Sequence, residues 1–245
     1  MSAEMQTPEV SLDFPHYGAS RRAVGKVLHW RYRLFQQRRH HNTAVLERVA
    51  GFPLLILPGV LNPRLTRSGA FFATQLNAEL FGRGSEVLDM GTGSGVCAIA
   101  AARHARRVVA VDITPAAVRC AQINAMINSV EGKIEVRQGD LFAAVEGQRF
   151  DVILFNPPFI YGTPRNDADR AWRSMDVAER FAAGLAEQLK PAGFALLMLS
   201  TYGDAARFLQ QFRRYRLDIE VVAERSFVNE RLFILRLRPP CPANE

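Results

Sequence analysis

Residues that could bind a ligand and act on it occur in four short segments of this 245-residue chain. The first is a glycine-rich loop, Asp89-Met90-Gly91-Thr92-Gly93-Ser94-Gly95, between an apolar strand pattern and an apolar helix pattern. Its glycines suit a tight turn, close approach of a ligand to the backbone, and close packing of the helix on the strand. Free N–H groups at the helix start favour an anionic group. The Gly-x-Gly-x-Gly spacing is tighter than the dinucleotide fingerprint and follows an aspartate, which indicates a ligand other than NAD.

Two aspartates and an Asn-Pro-Pro-Phe tetrapeptide follow the next three strand patterns. Asp112 lies 21 residues beyond Gly91, where an acid can accept both hydroxyl hydrogens of a ribose. Asp140 could accept a hydrogen bond from the exocyclic amine of an adenine, and the tetrapeptide Asn156-Pro157-Pro158-Phe159 ends the next strand. Each also has a structural alternative: a helix cap at Asp112, a turn at Asp140 and a stiff connector at the tetrapeptide. Their joint occurrence at successive strand ends favours one shared site.

The elements that must position these residues alternate between strand and helix. Such alternation predicts parallel strand pairing with helices on both faces of the sheet. The last two strands are joined without a helix pattern, which predicts an antiparallel hairpin at one edge. We therefore predict an α/β fold with a Rossmann-like, doubly wound, seven-stranded, mostly parallel sheet. The predicted strands are 86–90, 107–111, 133–137, 150–155, 194–200, 217–222 and 232–237.

The amino-terminal part of the chain differs in composition. Residues 20–48 are rich in Arg, His and aromatic residues, with apolar residues at helical spacing, so we predict one or two basic amphipathic helices. This segment suits either a nucleic-acid or ribosome-facing arm, or a helix packed on the main domain with a solvated basic face. Residues 49–62 predict a small hairpin or bent strand, and 68–81 a helix covering the glycine loop. We place the domain boundary between a basic helical segment, 1–49, and the α/β domain, 50–245.

Composition restricts the function classes. The 31 Lys and Arg residues exceed the 24 Asp and Glu residues and give a formal net charge of +7, which permits an acidic partner without proving one. The cysteines Cys97, Cys120 and Cys241 are far apart, so neither a disulfide framework nor a metal site is indicated, and the adjacent His40 and His41 find no third ligand nearby. We find neither an apolar run long enough to span a bilayer nor the pattern of a secretion signal. We therefore expect no membrane association and a cytoplasmic location. The oligomeric state stays open.

These motifs together resemble the class I S-adenosylmethionine-dependent methyltransferases. The resemblance covers about residues 50–240, and the Asn-Pro-Pro-Phe tetrapeptide is similar to the amino-methylating branch, most of all to the HemK-like release-factor glutamine methyltransferases. The resemblance implies S-adenosylmethionine as the cofactor. It assigns the catalytic role to Asn156, Pro157 and Phe159. It assigns cofactor binding to Asp89, Gly91, Thr92 and Gly93 for the methionine part, Asp112 for the ribose, Asp140 and Leu141 beside the adenine, and also to Ile113 and Asn156.

The tetrapeptide suits methylation of a planar nitrogen. An amide or aromatic amine is a weak nucleophile because its lone pair is delocalised. The Asn156 side-chain oxygen and the Pro157 carbonyl can accept its two N–H hydrogens and turn the lone pair towards the methyl group, while Phe159 lies on the planar acceptor. Such acceptors also stabilise the positive charge that the nitrogen gains in the transition state.

Two departures from the HemK-like pattern leave the substrate open. Phe159 stands where the family usually carries Tyr, and the segment before residue 50 is shorter and more basic than the family's helical substrate-recognition domain. A release-factor-like protein glutamine is our first acceptor. The alternatives are N6 of adenine or N2 of guanine in RNA or DNA, and a small-molecule amine. A non-catalytic nucleotide-binding or RNA-binding module is disfavoured by the presence of Asn156 beside an intact cofactor set.

Overall fold

The computed structural model describes residues 43–82, 84–228 and 230–240. Strands and helices alternate over most of this length, with a short 3₁₀ helix at Leu141–Val145. The elements in chain order are β1 (Val45–Val49), β2 (Phe52–Ile56), α1 (Pro63–Thr66), α2 (Ser68–Gln75), β3 (Glu86–Met90), α3 (Val96–Ala102), β4 (Arg107–Asp112), α4 (Pro115–Ile127), β5 (Ile134–Gln138), β6 (Phe150–Phe155), β7 (Ile160–Tyr161), α5 (Asp167–Arg170), β8 (Arg173–Ser174), α6 (Val177–Gln188), β9 (Leu189–Ser200), α7 (Ala205–Arg214), β10 (Asp218–Ser226) and β11 (Arg231–Arg238).

Seven strands form one sheet in the order β10-β11-β9-β6-β3-β4-β5. Neighbours from β9 to β5 are parallel, whereas β11 is antiparallel to both β9 and β10. The short β10–β11 connection explains this, because a parallel pair needs a long crossover and an antiparallel pair does not. The predicted seven-stranded, mostly parallel sheet with an antiparallel edge hairpin is confirmed.

Both faces of the sheet are buried. Leu154 and its same-face neighbours pack with Phe72 of α2, whereas Ile153 and the opposite face pack with Phe181 and Phe212 of α6 and α7. Helices cover both sides, so the central strands are apolar at nearly every position. No helix in the described part of the chain has the length and apolar character that crossing a membrane requires.

A hairpin of β1 and β2 precedes the sheet and is attached to it through Asn124 of α4. The fully buried Asn124 side chain accepts from Leu55 N at 2.7 Å and donates to Leu55 O and Ser94 O, both at 2.9 Å. One amide thus joins the hairpin, α4 and the glycine loop. The domain boundary predicted between residues 49 and 50 falls at the hairpin turn and stays a prediction.

Two predictions for the part of the chain before β3 were wrong in extent. Residues 45–48, included in the basic helical segment, lie in β1 and pair with β2. The helix predicted to run to residue 81 ends at Gln75, and the Asn77 side chain accepts the Glu79 N–H in a turn that competes with the helix. Residues 43 and 44 are not helical, and residues 20–42 of the predicted basic helices, with His40 and His41, lie outside the described residues.

Candidate active site

A cavity opens at the carboxyl ends of β3, β4 and β6. Every residue that the sequence assigned to the site lines it: Asp89, Gly91, Thr92, Gly93, Asp112, Ile113, Asp140, Leu141, Asn156, Pro157 and Phe159. Their individual roles stay predictions. The structure thus brings together segments of the chain that lie up to 70 residues apart in sequence, as the parallel topology requires.

The glycine loop uses a left-handed backbone at three positions. The φ angles are +63° at Gly91, +55° at Gly93 and +82° at Gly95, a region that other residues adopt at a cost. A Cβ at Gly95 would lie 3.1 Å from the Ala121 Cα, so the third glycine permits close packing on α4. The neighbour of this glycine is therefore a helix, α4, and not the strand that the sequence predicts.

Asp89 is a buried carboxylate that holds the loop to the helix after it. Its Oδ2 accepts from the Thr92 hydroxyl at 2.6 Å and from the Ala98 N–H at 3.0 Å, and the residue is 3% exposed. Burial raises the pKa of Asp89 to about 7, and the charge of Asp112 adds to the rise, whereas the two hydrogen bonds oppose it. Sequence reasoning gave Asp89 a ligand-binding role and missed this bridging role.

Asp112 joins the glycine loop to the start of α4. Oδ2 accepts from the Gly93 N–H at 2.9 Å, and Oδ1 accepts from the backbone N–H and the hydroxyl of Thr114, both at 3.0 Å. The alternative of a helix cap at Asp112 is wrong, because Thr114 is the N-cap of α4 and Asp112 is the last residue of β4. The hydrogen bonds of Asp112 do not exclude the ribose role, since a carboxylate has about four acceptor positions and Asp112 lines the cavity.

Asp140 lies in an ion pair that the sequence did not predict. Arg180 of α6 donates to Asp140 Oδ2 at 2.8 Å, and both side chains are nearly half exposed. Asp140 raises the pKa of the Arg180 guanidinium. Any amine that Asp140 binds must share this carboxylate with Arg180. The next residue, Leu141, has a φ of +50°, a strained value for a non-glycine residue at the cavity wall.

Asn156 has an unused acceptor at the cavity. Its Nδ2 donates to Ser68 Oγ at 3.3 Å, while its Oδ1 is buried and has no hydrogen-bond partner among the residues that the structure describes. A buried acceptor without a protein partner is costly, so Oδ1 needs a donor from water or from a ligand. The adjacent Pro157 is buried and lines the same cavity.

Phe159 is held by the loop that follows β9. Its carbonyl accepts from the Asp204 N–H at 2.8 Å, and Gly203 approaches so closely that a Cβ there would lie 2.3 Å from the Phe159 Cβ. Beyond it, Ile160 N donates to Trp172 O at 2.9 Å as β7 pairs with β8. Trp172 also lines the cavity, which the sequence analysis missed.

Comparison with known protein families identifies the chain. Residues 54–224 match the sequence model described as the methyltransferase small domain, and this match covers well over half of the chain. The chain belongs to the methyltransferase small domain family. The predicted methyltransferase resemblance is confirmed. The glycine loop, Asp112, Asp140 and Asn156 all lie within the matched range.

Relatives of this methyltransferase domain have different named substrates. A release factor glutamine methyltransferase of Koribacter versatilis (strain Ellin345) is 38% identical over 128 residues, which are 46% of this chain and 45% of the relative. The ribosomal RNA small subunit methyltransferase C of Alcanivorax borkumensis is 34% identical over 155 residues, 63% of this chain and 44% of the relative. The chain spans less than half the length of either.

The fold also matches solved structures. The 16S rRNA N2 G1207 methyltransferase of T. thermophilus, solved in complex with AdoMet and guanosine, has a TM-score of 0.59 and 25% identity. The match covers 80% of this chain and 50% of that one. It supports the Rossmann-like methyltransferase fold.

Proposed function

We propose that this protein transfers a methyl group from S-adenosylmethionine to a planar NH₂ nitrogen, with a glutamine side chain of a release-factor-like protein as the first acceptor. The observation that carries the proposal is the buried Asn156 Oδ1, which lines the cavity without a partner in the described residues. An acceptor in this position can take an N–H of an amide and so favours the reactive orientation of its nitrogen. We expect this reaction in the cytoplasm, where release factors act.

The cavity fits the proposed methyl donor. The left-handed glycines expose loop backbone at the start of α3, which suits the carboxylate of the methionine part, and Asp89 suits its ammonium group. Asp112 can accept from ribose hydroxyls. Ile113, 39% exposed, offers an apolar surface for an adenine, and Leu141 and Asp140 line the same wall. When bound, S-adenosylmethionine supplies an electrophilic methyl group on a sulfonium.

Asn156 and Pro157 would do the chemical work on the acceptor. The Asn156 Oδ1 and the Pro157 carbonyl accept the two N–H hydrogens, which turns the nitrogen lone pair out of conjugation. As the N–C bond forms and the bond between the methyl group and the sulfonium breaks, both oxygens would stabilise the developing positive charge on the nitrogen, with neutral S-adenosylhomocysteine as the second product. The methylated nitrogen would then release one proton to water and return to a neutral amide. This route requires no strong base before transfer.

The glutamine acceptor is supported by the similarity to the Koribacter versatilis enzyme, which is named for that substrate. One observation favours a second candidate, an adenine or guanine amine in RNA. Phe159 and Trp172 both line the cavity, and two aromatic side chains suit a flat base. The Alcanivorax borkumensis relative and the T. thermophilus structure carry RNA-methyltransferase names and support this candidate equally.

Radiolabelled methyl transfer separates these acceptors. The purified protein and labelled S-adenosylmethionine are incubated with a cell extract, and the products are digested separately with protease and with nuclease. Protease-sensitive label that yields N5-methylglutamine after complete enzymatic digestion supports the first acceptor. Nuclease-sensitive label would show that the acceptor is a nucleic-acid base and not glutamine. Label in the small-molecule fraction would exclude both of these acceptors. If the wild-type protein transfers no more label to any fraction than the Asn156→Ala variant does, the proposed function is refuted.

A further inference from the structure

The amide of Asn156 is held on its nitrogen side by a residue from the other end of the domain. Ser68, 88 residues earlier in the chain, accepts from Asn156 Nδ2 at 3.3 Å. Ser68 is 4% exposed and lines the same cavity. Sequence reasoning assigned α2 only the task of covering the glycine loop and gave Ser68 no contact with Asn156.

Ser68 is itself firmly placed. It is the first residue of α2, whose Phe71 and Phe72 are buried in the core under the sheet. The next residue, Gly69, packs so closely on α1 that a Cβ there would lie 3.0 Å from the Pro63 Cβ. The Ser68 hydroxyl is therefore a fixed point relative to the sheet that carries Asn156.

An asparagine needs such a fixed point if its oxygen is to meet a donor. The two ends of the amide have the same shape, but the nitrogen only donates and the oxygen only accepts. A serine hydroxyl can accept from Nδ2 or donate to Oδ1; in the structure it accepts from Nδ2, which leaves Oδ1 free at the cavity. If the Asn156 amide were turned so that its nitrogen faced the cavity, its N–H groups would point at the N–H groups of the nitrogen to be methylated.

We infer that Ser68 is a positioning residue, which anchors the Asn156 amide so that Oδ1 meets the nitrogen being methylated. The inference rests on the proposed function, because it takes Asn156 to be the acceptor of the substrate N–H. In this role Ser68 acts through Asn156. Its contribution must therefore disappear when Asn156 is absent.

A double-mutant cycle tests this directly. Single-turnover rates, KM for the methyl acceptor and S-adenosylhomocysteine affinity are measured for Ser68→Ala, Ser68→Thr, Asn156→Ala and the Ser68→Ala/Asn156→Ala double variant. Ser68→Ala should lower the rate about tenfold, the effect of one neutral hydrogen bond, with KM and cofactor affinity within about twofold. Ser68→Thr, which keeps the hydroxyl, should recover most of the rate. Ser226→Ala, an exposed serine bonded to Glu224 on the edge strand, is the matched control.

The cycle distinguishes a failure of the positioning role of Ser68 from a failure of the proposed function. The positioning role predicts that the double variant reacts at the rate of Asn156→Ala. An unchanged rate in Ser68→Ala, or an equal tenfold loss in the Asn156→Ala background, would overturn the inference while leaving the proposed function intact. A wild-type rate in Asn156→Ala would instead overturn the proposed function, whatever Ser68 does.

Discussion

Replacement of Gly203 by alanine should slow methyl transfer without weakening cofactor binding. A Cβ at this position would lie 2.3 Å from the Phe159 Cβ and 2.4 Å from the Phe159 carbonyl oxygen. Ordinary contact between such atoms begins near 3.4 Å, so the two loops must separate by about 1 Å. The displacement falls on Phe159, which we propose packs on the methyl acceptor and which ends the Asn-Pro-Pro-Phe segment. A misplacement of about 1 Å at a reacting centre can cost about 100-fold in rate.

The assay compares kcat with S-adenosylhomocysteine affinity measured by calorimetry. Gly203→Ala should lower kcat about 100-fold and leave the affinity within about threefold, since Gly203 does not line the cofactor part of the cavity. Gly132→Ala is the control, because no atom lies within 4 Å of a Cβ there and its φ is not left-handed. If the kcat of Gly203→Ala stays within threefold of the wild-type value, Phe159 can move away from the added methyl group without loss of activity. An equal loss of affinity would show that the disturbance reaches the cofactor side.

Three further changes test the glycine loop and its acids. Asp112→Ala should weaken S-adenosylhomocysteine binding about 10- to 100-fold in calorimetry, because charge-assisted hydrogen bonds are lost; unchanged affinity would refute the ribose assignment. The pKa of Asp89, about 7, lies above its value in the unfolded chain, so below pH 7 binding of an ammonium group to Asp89 must release a proton. The affinity for S-adenosylhomocysteine should therefore increase up to tenfold for each unit that the pH is raised towards 7 and then level off. Asp89→Asn should abolish this pH dependence. Gly95→Ala should lower the free energy of unfolding in urea by about 2 kcal/mol, because φ is +82° and the added Cβ would lie 3.1 Å from the Ala121 Cα. No loss of stability would mean that the loop can move off α4.

The sheet was predictable because its strands are buried on both faces. Runs such as Val108–Val111 have no polar face, and the acid or amide that ends each run marks where burial stops and the cavity begins. The start of β9 was predicted too late, at residue 194, whereas the strand begins at Leu189. A Cβ at Gly193 would lie 2.9 Å from Phe150 O, so this glycine marks a close approach of two paired strands.

The contacts that complete the site were not predictable from local pattern. Ser68 meets Asn156 across 88 residues, and Arg180 meets Asp140 across 40. Periodicity assigns a residue to a helix or strand face, but it does not say which side chain of another element lies opposite. Trp172 reaches the cavity because β7 pairs with β8, two strands of two residues each that leave no recognisable pattern.

The role of Asn156 is the central claim, and its replacement by alanine tests it most directly. The measurement is a single-turnover methyl-transfer rate at saturating S-adenosylmethionine, paired with calorimetric affinity for S-adenosylhomocysteine. Loss of an acceptor that stabilises developing charge predicts a rate at least 100-fold lower, with affinity within about threefold of wild type. A rate close to wild type, or a loss explained wholly by weaker cofactor binding, would contradict the assignment of Asn156 as the residue that receives the acceptor N–H.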